Sequence, residues 1–282
     1  MNGLHELPLV IFTVLAQSVV GAFLLCSVVL FITQDKYYRV YIHKIIFGLL
    51  VLLGVGFFSS IMHLGSPFRA LNSLNRIGSS MLSNEIASGA LFFALAGSYW
   101  LLAISGKLQK MLSDIWLVST SIVGIIFMYM MNNVYHISTV PTWNNIFTTW
   151  NFYLTVILGG LSLGYVLLLV ERSDVNIIRR IPVIVAVSLL FAAVVSVYQG
   201  FELSSIKTSV QQARALVPDF AILTAVRMLL LGIAVSLMFY LVYYPRSLFV
   251  KVMVGCFIII AEMIGRVLFY ALHMTSGMAV GS

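Results

Sequence analysis

The chain has 282 residues, of which 61% are hydrophobic and 9% charged, with a formal net charge of +7. Soluble domains carry about 25% charged residues, so this composition excludes a water-soluble globular enzyme and describes a polytopic membrane protein. The positive charge does not point to nucleic acid, because Lys and Arg are spread a few at a time over short loops and form no basic stripe.

A spanning helix needs about 20 apolar residues, and eight stretches qualify in chain order: residues 8–32, 44–62, 84–104, 114–134, 150–170, 181–200, 220–244 and 248–272. The first is led by MNGLHEL, which has no Lys or Arg. It is too long for a signal-peptide core, and no small-residue cleavage site follows it, so it reads as a membrane helix. The basic loop after it holds Lys36, Arg39 and His43. The last two stretches are separated only by YYPRS, which requires a tight helical hairpin.

Lys and Arg set the orientation. The first, third, fifth and seventh loops hold ten of them: Lys36, Arg39, Lys44, Lys107, Lys110, Arg172, Arg179, Arg180, Arg246 and Lys251. The opposite side holds four, Arg69, Arg76, Lys207 and Arg214, while Arg227 and Arg266 lie inside spans. The odd loops therefore face the cytoplasm. The expected fold is all-α: one integral-membrane domain over residues 1–282, with eight transmembrane helices and both termini periplasmic. Two four-helix halves, about residues 1–135 and 150–282, are compatible with this pattern, although no internal repeat marks them. The longer outer loops, residues 64–83, 135–149 and 201–219, suit a docking partner.

Ionisable side chains are costly in a bilayer, so each needs a partner or a task. Most of them fall toward the outer ends of their spans: His63, Glu85, Arg227, His136 and His273, with Tyr198 among them. In the eighth span Glu262 and Arg266 are four residues apart and share a helix face, where they can pair. Phe269 and His273 extend that stripe toward the outer surface, which reads either as a polar track or as a self-neutralising ion pair with an interfacial histidine. Ser83 or Asn84 can cap the third span, with Glu85 in its first turn suiting the helix dipole. Cys26 and Cys256 both read as buried packing residues, and no Cys/His cluster offers a metal site.

His63, Arg76 and Glu85 bracket one compact outer loop, and their chemistry suits a quinol. A quinol headgroup arrives from lipid and loses two electrons and two protons, so it needs an apolar slot and a proton acceptor at each hydroxyl. A neutral imidazole and a carboxylate are such acceptors, and an arginine steadies the carboxylate. Phe57, Phe58 and Phe68 are available for an aromatic wall. Histidines that could ligate a haem, His63, His136 and His273, all lie on the outer side, so a pair of haems spanning the membrane lacks ligands. Electrons then leave sideways to a redox partner docked on the outer loops. A transporter or channel, and a purely structural anchor without a quinol site, are the alternatives from other functional classes.

The segments HELPLVIFTVLAQ, GVGFFSSIMHLGSPFRALNSLNRIGSSMLSNEIASG, VPTW, TSVQQARALVPD and GRVLFYALHMTSGMAV resemble the membrane-anchor subunit of bacterial dimethyl sulfoxide reductases, from one end of the sequence to the other. The resemblance implies an eight-span anchor in the bacterial inner membrane with periplasmic termini. It implies exchangeable menaquinol as the electron donor, no haem or Fe–S group in this subunit, and two partners: a four-cluster Fe–S subunit and a molybdopterin catalytic subunit that reduces S- or N-oxides. It assigns the quinol site to His63 and Glu85. It assigns no role to Arg76 or to the Glu262, Arg266 and His273 stripe, which rest on the residue chemistry alone.

Overall fold

A computed structural model describes residues 3–63, 75–106, 108–169, 176–207 and 212–275 of the protein. In lipid an apolar segment must satisfy its own backbone hydrogen bonds, so each long apolar run becomes a helix. A short 3-10 turn, Gly3–Glu6, leads into α1, Leu7–Ile32, with a proline in its first turn, where the missing N–H costs nothing. Then follow α2, Lys36–His63, α3, Met81–Ile104, and α4, Lys110–Val134. The fifth span is composite: α5, Ile146–Thr155, runs through a π-helical turn, Val156–Leu161, into α6, Ser162–Leu168. Next come α7, Asn176–Ser205, the single turn α8, Ala213–Leu216, α9, Phe220–Tyr243, and α10, Leu248–Ala271.

Eight helices among the described residues are long and apolar enough to cross a membrane, matching the eight expected spans. Among these residues the one β pairing is an isolated bridge, Lys207 to Gln212. Residues 244–247 alone join α9 to α10, and the Ser247 side chain caps α10 by accepting from the Val250 N–H at 3.4 Å.

Two local expectations are corrected. Helix α2 begins at Lys36, so His43 sits inside a helix instead of a loop, with a ring nitrogen 3.2 Å from the Tyr99 hydroxyl. Cys26 is buried, but Cys256 is exposed on the outside of the bundle. A lipid-facing position and a core position are equally apolar, and nothing in the local pattern around Cys256 separates them.

Helix α1 is the centre of the bundle. In its apolar window 78% of residues are buried, against 22–33% for α2, α3, α4, α7, α9 and α10. It packs on α2, α4, α6, α10 and the π turn. The π turn carries Gly159 and Gly160. A Cβ on Gly160 would run into the Gly21 backbone of α1, and one on Gly21 would strike the Val156 carbonyl. Absence of side chains lets the two backbones touch, and close approach is what holds membrane helices together when no hydrophobic effect acts between them. Beside this seam the Gln17 amide donates to the Phe152 carbonyl at 3.1 Å. The residues that face outward include Val51, Leu101, Ile125, Leu190 and Phe249, all large and apolar, as a lipid-solvated surface requires.

Candidate functional site

Successive spans alternate in direction. The N-terminal ends of α1, α3, α5 and α9 therefore share one face with the C-terminal ends of α2, α4, α7 and α10. The turn that enters α3 on this face is tied down by its own backbone. The Arg76 carbonyl accepts from the N–H groups of Ser79 and Ser80 at 3.1 and 3.0 Å. Gly78 has φ +89°, a conformation that favours glycine, and its N–H donates to Asn84 Oδ1 at 2.6 Å. Helix α3 therefore starts at Met81, earlier than expected, with Ser80 at the cap position and Asn84 bracing the turn instead of capping.

That shift moves Glu85 past the first turn and into the bundle, where it is 4% exposed. Its Oε1 has no hydrogen-bond partner among the described residues. Arg76 is exposed at the turn. His63 is the last residue of α2, and its side chain, like Phe68, lies outside the described residues. Phe57 is half-buried and packs on Phe12, Phe93 and Phe127, whereas Phe58 points outward.

Tyr135, just beyond α4, and Tyr270, near the end of α10, are both buried, with phenol oxygens 2.5 Å apart. Burial, then Tyr270 and then the nearby Glu85 carboxylate, push the Tyr135 phenol well above its ordinary pKa, so it stays protonated. Glu85 is thus within electrostatic reach of a hydroxyl pair. Aromatic rings enclose this pair: Trp143, Phe152 and Phe269 lie 5.6, 5.1 and 5.2 Å from the Tyr135 ring. Trp143 also stacks on Phe269 at 5.1 Å, donates its Nε1–H to the Phe269 carbonyl at 2.8 Å, and meets the His273 ring at 4.6 Å. His273 therefore rests on tryptophan just past the end of α10. His136 is bonded instead to Thr149 and Asn144, at 2.9 and 3.3 Å.

The expected pairing of Glu262 with Arg266 is replaced by contacts to other helices. Glu262 Oε2 lies 3.3 Å from Arg227 Nη2 of α9 and accepts from the Thr155 hydroxyl of α5 at 2.6 Å. Arg266 donates to Gln17 Oε1 of α1 at 2.5 Å and lies over the Phe152 ring at 3.7 Å. Residues four apart on a helix differ by about 40° in direction, which here aims the two side chains at different neighbours. Arg227 also donates to Asn151 Oδ1 at 3.4 Å, and Asn151 donates to Gln199 Oε1 at 3.0 Å. Glu262, Arg227 and Arg266 are 1%, 6% and 3% exposed.

Tyr135, Tyr270, Gln17, Asn151, Thr155 and Gln199 went unremarked as site residues in the sequence. Gln17 and Asn151 carried a readable signal, an amide inside an apolar span, which lipid tolerates only when it is bonded. Among the described residues no three His, Cys, Asp or Glu side chains gather where a metal ion could be held.

Known proteins match this sequence along its length. Residues 1–272 match the family model described as "DMSO reductase anchor subunit (DmsC)". A subunit of the anaerobic dimethyl sulfoxide reductase of Haemophilus influenzae is 52% identical over 280 residues, covering 99% of each protein. Its namesake from Escherichia coli K12 is 47% identical over 287 residues, 100% of this sequence and 99% of the relative. A second Escherichia coli K12 protein, the anaerobic dimethyl sulfoxide reductase subunit YnfH, is 48% identical over 281 residues, 99% of each. A family match over nearly the whole sequence, together with eight membrane-crossing helices, makes this protein a multi-pass membrane member of the DMSO reductase anchor subunit family.

Proposed function

We propose that this protein is the quinol-oxidising anchor of a dimethyl sulfoxide reductase-type molybdoenzyme in the bacterial inner membrane. In this reading it takes menaquinol from the lipid near the periplasmic face and delivers its electrons to a four-cluster Fe–S subunit, which feeds a molybdopterin catalytic subunit. Both termini are periplasmic, and the anchor itself carries no haem or Fe–S cluster.

The observation that carries this reading is the Glu85 carboxyl: buried, with one oxygen lacking any partner among the described residues, near the Tyr135–Tyr270 hydroxyl pair. An unsatisfied buried acceptor costs free energy, and a ligand hydroxyl arriving from the membrane answers it. Glu85 accepts one quinol proton and His63, at the end of α2, the other. Tyr135, protonated and bonded to Tyr270, does not compete as a proton acceptor and fixes the polarity of the slot. Arg76, exposed on the connecting turn, steadies the headgroup side of the site. Two electrons leave toward the partner on the periplasmic loops as two protons leave toward water on the same side.

The test is Glu85→Gln, which keeps the shape and the hydrogen-bonding capacity but cannot take a proton. Quinol-driven oxide reduction by membranes carrying the assembled complex falls by about 10²–10⁴-fold, while reduction driven by a soluble dye that feeds the partner subunits is unchanged. Quinol-driven turnover within a factor of a few of wild type defeats the assignment. His63→Arg, in the same membranes, abolishes binding of a quinol-headgroup analogue.

A further inference from the structure

A second polar feature, whose walls do not include Glu85, has no part in the quinol chemistry above. Between α5, α7, α9 and α10 is a cavity of about 20 Å³, lined by Asn151, Gln199, Thr224, Arg227, Glu262 and Arg266 among others. About 10–15 Å³ of such space holds one water-sized particle, so the cavity takes one small occupant and excludes a headgroup or a sugar.

Its walls carry two guanidinium groups and one carboxylate. Glu262 is committed to Arg227 and Thr155, and Arg266 is bonded to the neutral amide of Gln17. Glu85 does not line the cavity. On the cavity wall the guanidinium groups thus outnumber the carboxylates by one, and an unanswered cation inside the membrane is costly.

The free bonding capacity on the walls includes two groups able to donate. Arg227 Nε is buried and has no hydrogen-bond partner among the described residues, and neither has the Thr224 hydroxyl one helical turn before it. Gln199 uses its carbonyl oxygen to accept from Asn151 and turns its amide toward the cavity lining. Gly265 makes the pose of Arg227 possible: a Cβ there would lie 2.7 Å from Arg227 Nε and from its Cζ. Of the amide and carboxylate acceptors on the wall, Asn151 Oδ1 and both oxygens of Glu262 already face Arg227, and Gln199 Oε1 accepts from Asn151.

We infer that this cavity is a binding site for one monovalent anion of chloride size, held by Arg227 Nε–H and the Thr224 hydroxyl and balancing the excess guanidinium charge. A bound halide makes the cluster neutral, with two cations facing Glu262 and the anion. It would fix the relative positions of α5, α7, α9 and α10 without touching the Glu85 site, and it does not depend on Glu85 handling quinol.

The purified complex, exchanged into sodium gluconate and titrated with sodium chloride or bromide at constant ionic strength, provides the test. Gluconate is too large for the cavity. The thermal unfolding midpoint rises saturably with either halide. Thr224→Val, nearly isosteric but without the hydroxyl, raises the half-saturating halide concentration about tenfold, as loss of a hydrogen bond to a charged group should. Thr224→Ser leaves that concentration in place. Crystals in bromide show an anomalous peak beside Arg227 Nε. A midpoint that follows ionic strength alone, a halide response unchanged in Thr224→Val, or density at the cavity without anomalous signal in bromide each overturns the inference.

Discussion

Glu262 and Glu85 are both carboxyl groups buried in the bundle, and they are served in opposite ways. Glu262 receives a hydroxyl from Thr155 and a guanidinium from Arg227. Removing one side of a buried ion pair leaves the other charge stranded, at a cost of about 3–5 kcal/mol. Glu262→Ala should therefore lower the thermal midpoint sharply and reduce the amount of folded protein recovered from membranes. Replacing Glu262 and Arg227 together by methionine should restore much of the loss, because the stranded charge is then gone. Glu85 has an oxygen that no neighbour among the described residues serves. Glu85→Gln should accordingly leave the thermal midpoint equal to or above that of wild type, with the activity loss described above. Loss of function without loss of stability is the pattern expected where a site is kept poised for a ligand instead of for packing.

At the scale of helices, the contact of α1 with the π turn depends on Gly21 and Gly160 having no side chains. Gly160→Val drives a branched side chain into the Gly21 backbone. The expected cost is about 1–3 kcal/mol or more, read as a lower unfolding midpoint, and Gly97→Val, in α3 with no atom near its Cβ position, is the matched control. The eight spans were legible in the sequence because hydropathy sums over about 20 residues and tolerates local error. The partner of Glu262 was not legible, because periodicity fixes which side of α10 a residue occupies and says nothing about which helix stands opposite. The start of α2 at Lys36 was missed because the basic run from Lys36 to Lys44 lowers the local hydropathy, whereas Tyr38, Tyr41 and Arg39 bond inward to carbonyls of neighbouring spans and keep the backbone helical. The π turn has no pattern of its own beyond the Gly-Gly pair it contains. In the site, Glu85 was legible as an ionisable group in an apolar setting, whereas Tyr135 and Tyr270 were not, since aromatic residues at span ends are ordinary interfacial anchors.

For the whole molecule, the placement of charge sets a testable orientation. A reporter enzyme that is active only in the periplasm should be active when fused after residue 282 and inactive when inserted in the loop around residue 107. The reverse result would put Glu85 and the Tyr135–Tyr270 pair on the cytoplasmic side. Proton release and oxide reduction on one side move no net charge, so proteoliposomes carrying the complex should build no membrane potential during turnover. The central position of α1 has a further consequence for biosynthesis. Helix α1 is made well before the groups that serve its amide: Gln17 donates to the Phe152 carbonyl, made 135 residues later, and accepts from Arg266, made 249 residues later. Until α10 is in place the Gln17 carbonyl oxygen lacks its guanidinium partner, and an incomplete polypeptide exposes a polar flaw that membrane chaperones and proteases can read. A ribosome stalled before α10 should thus yield a product that is cleared rapidly, which gives the cell a built-in check that every anchor it keeps is whole.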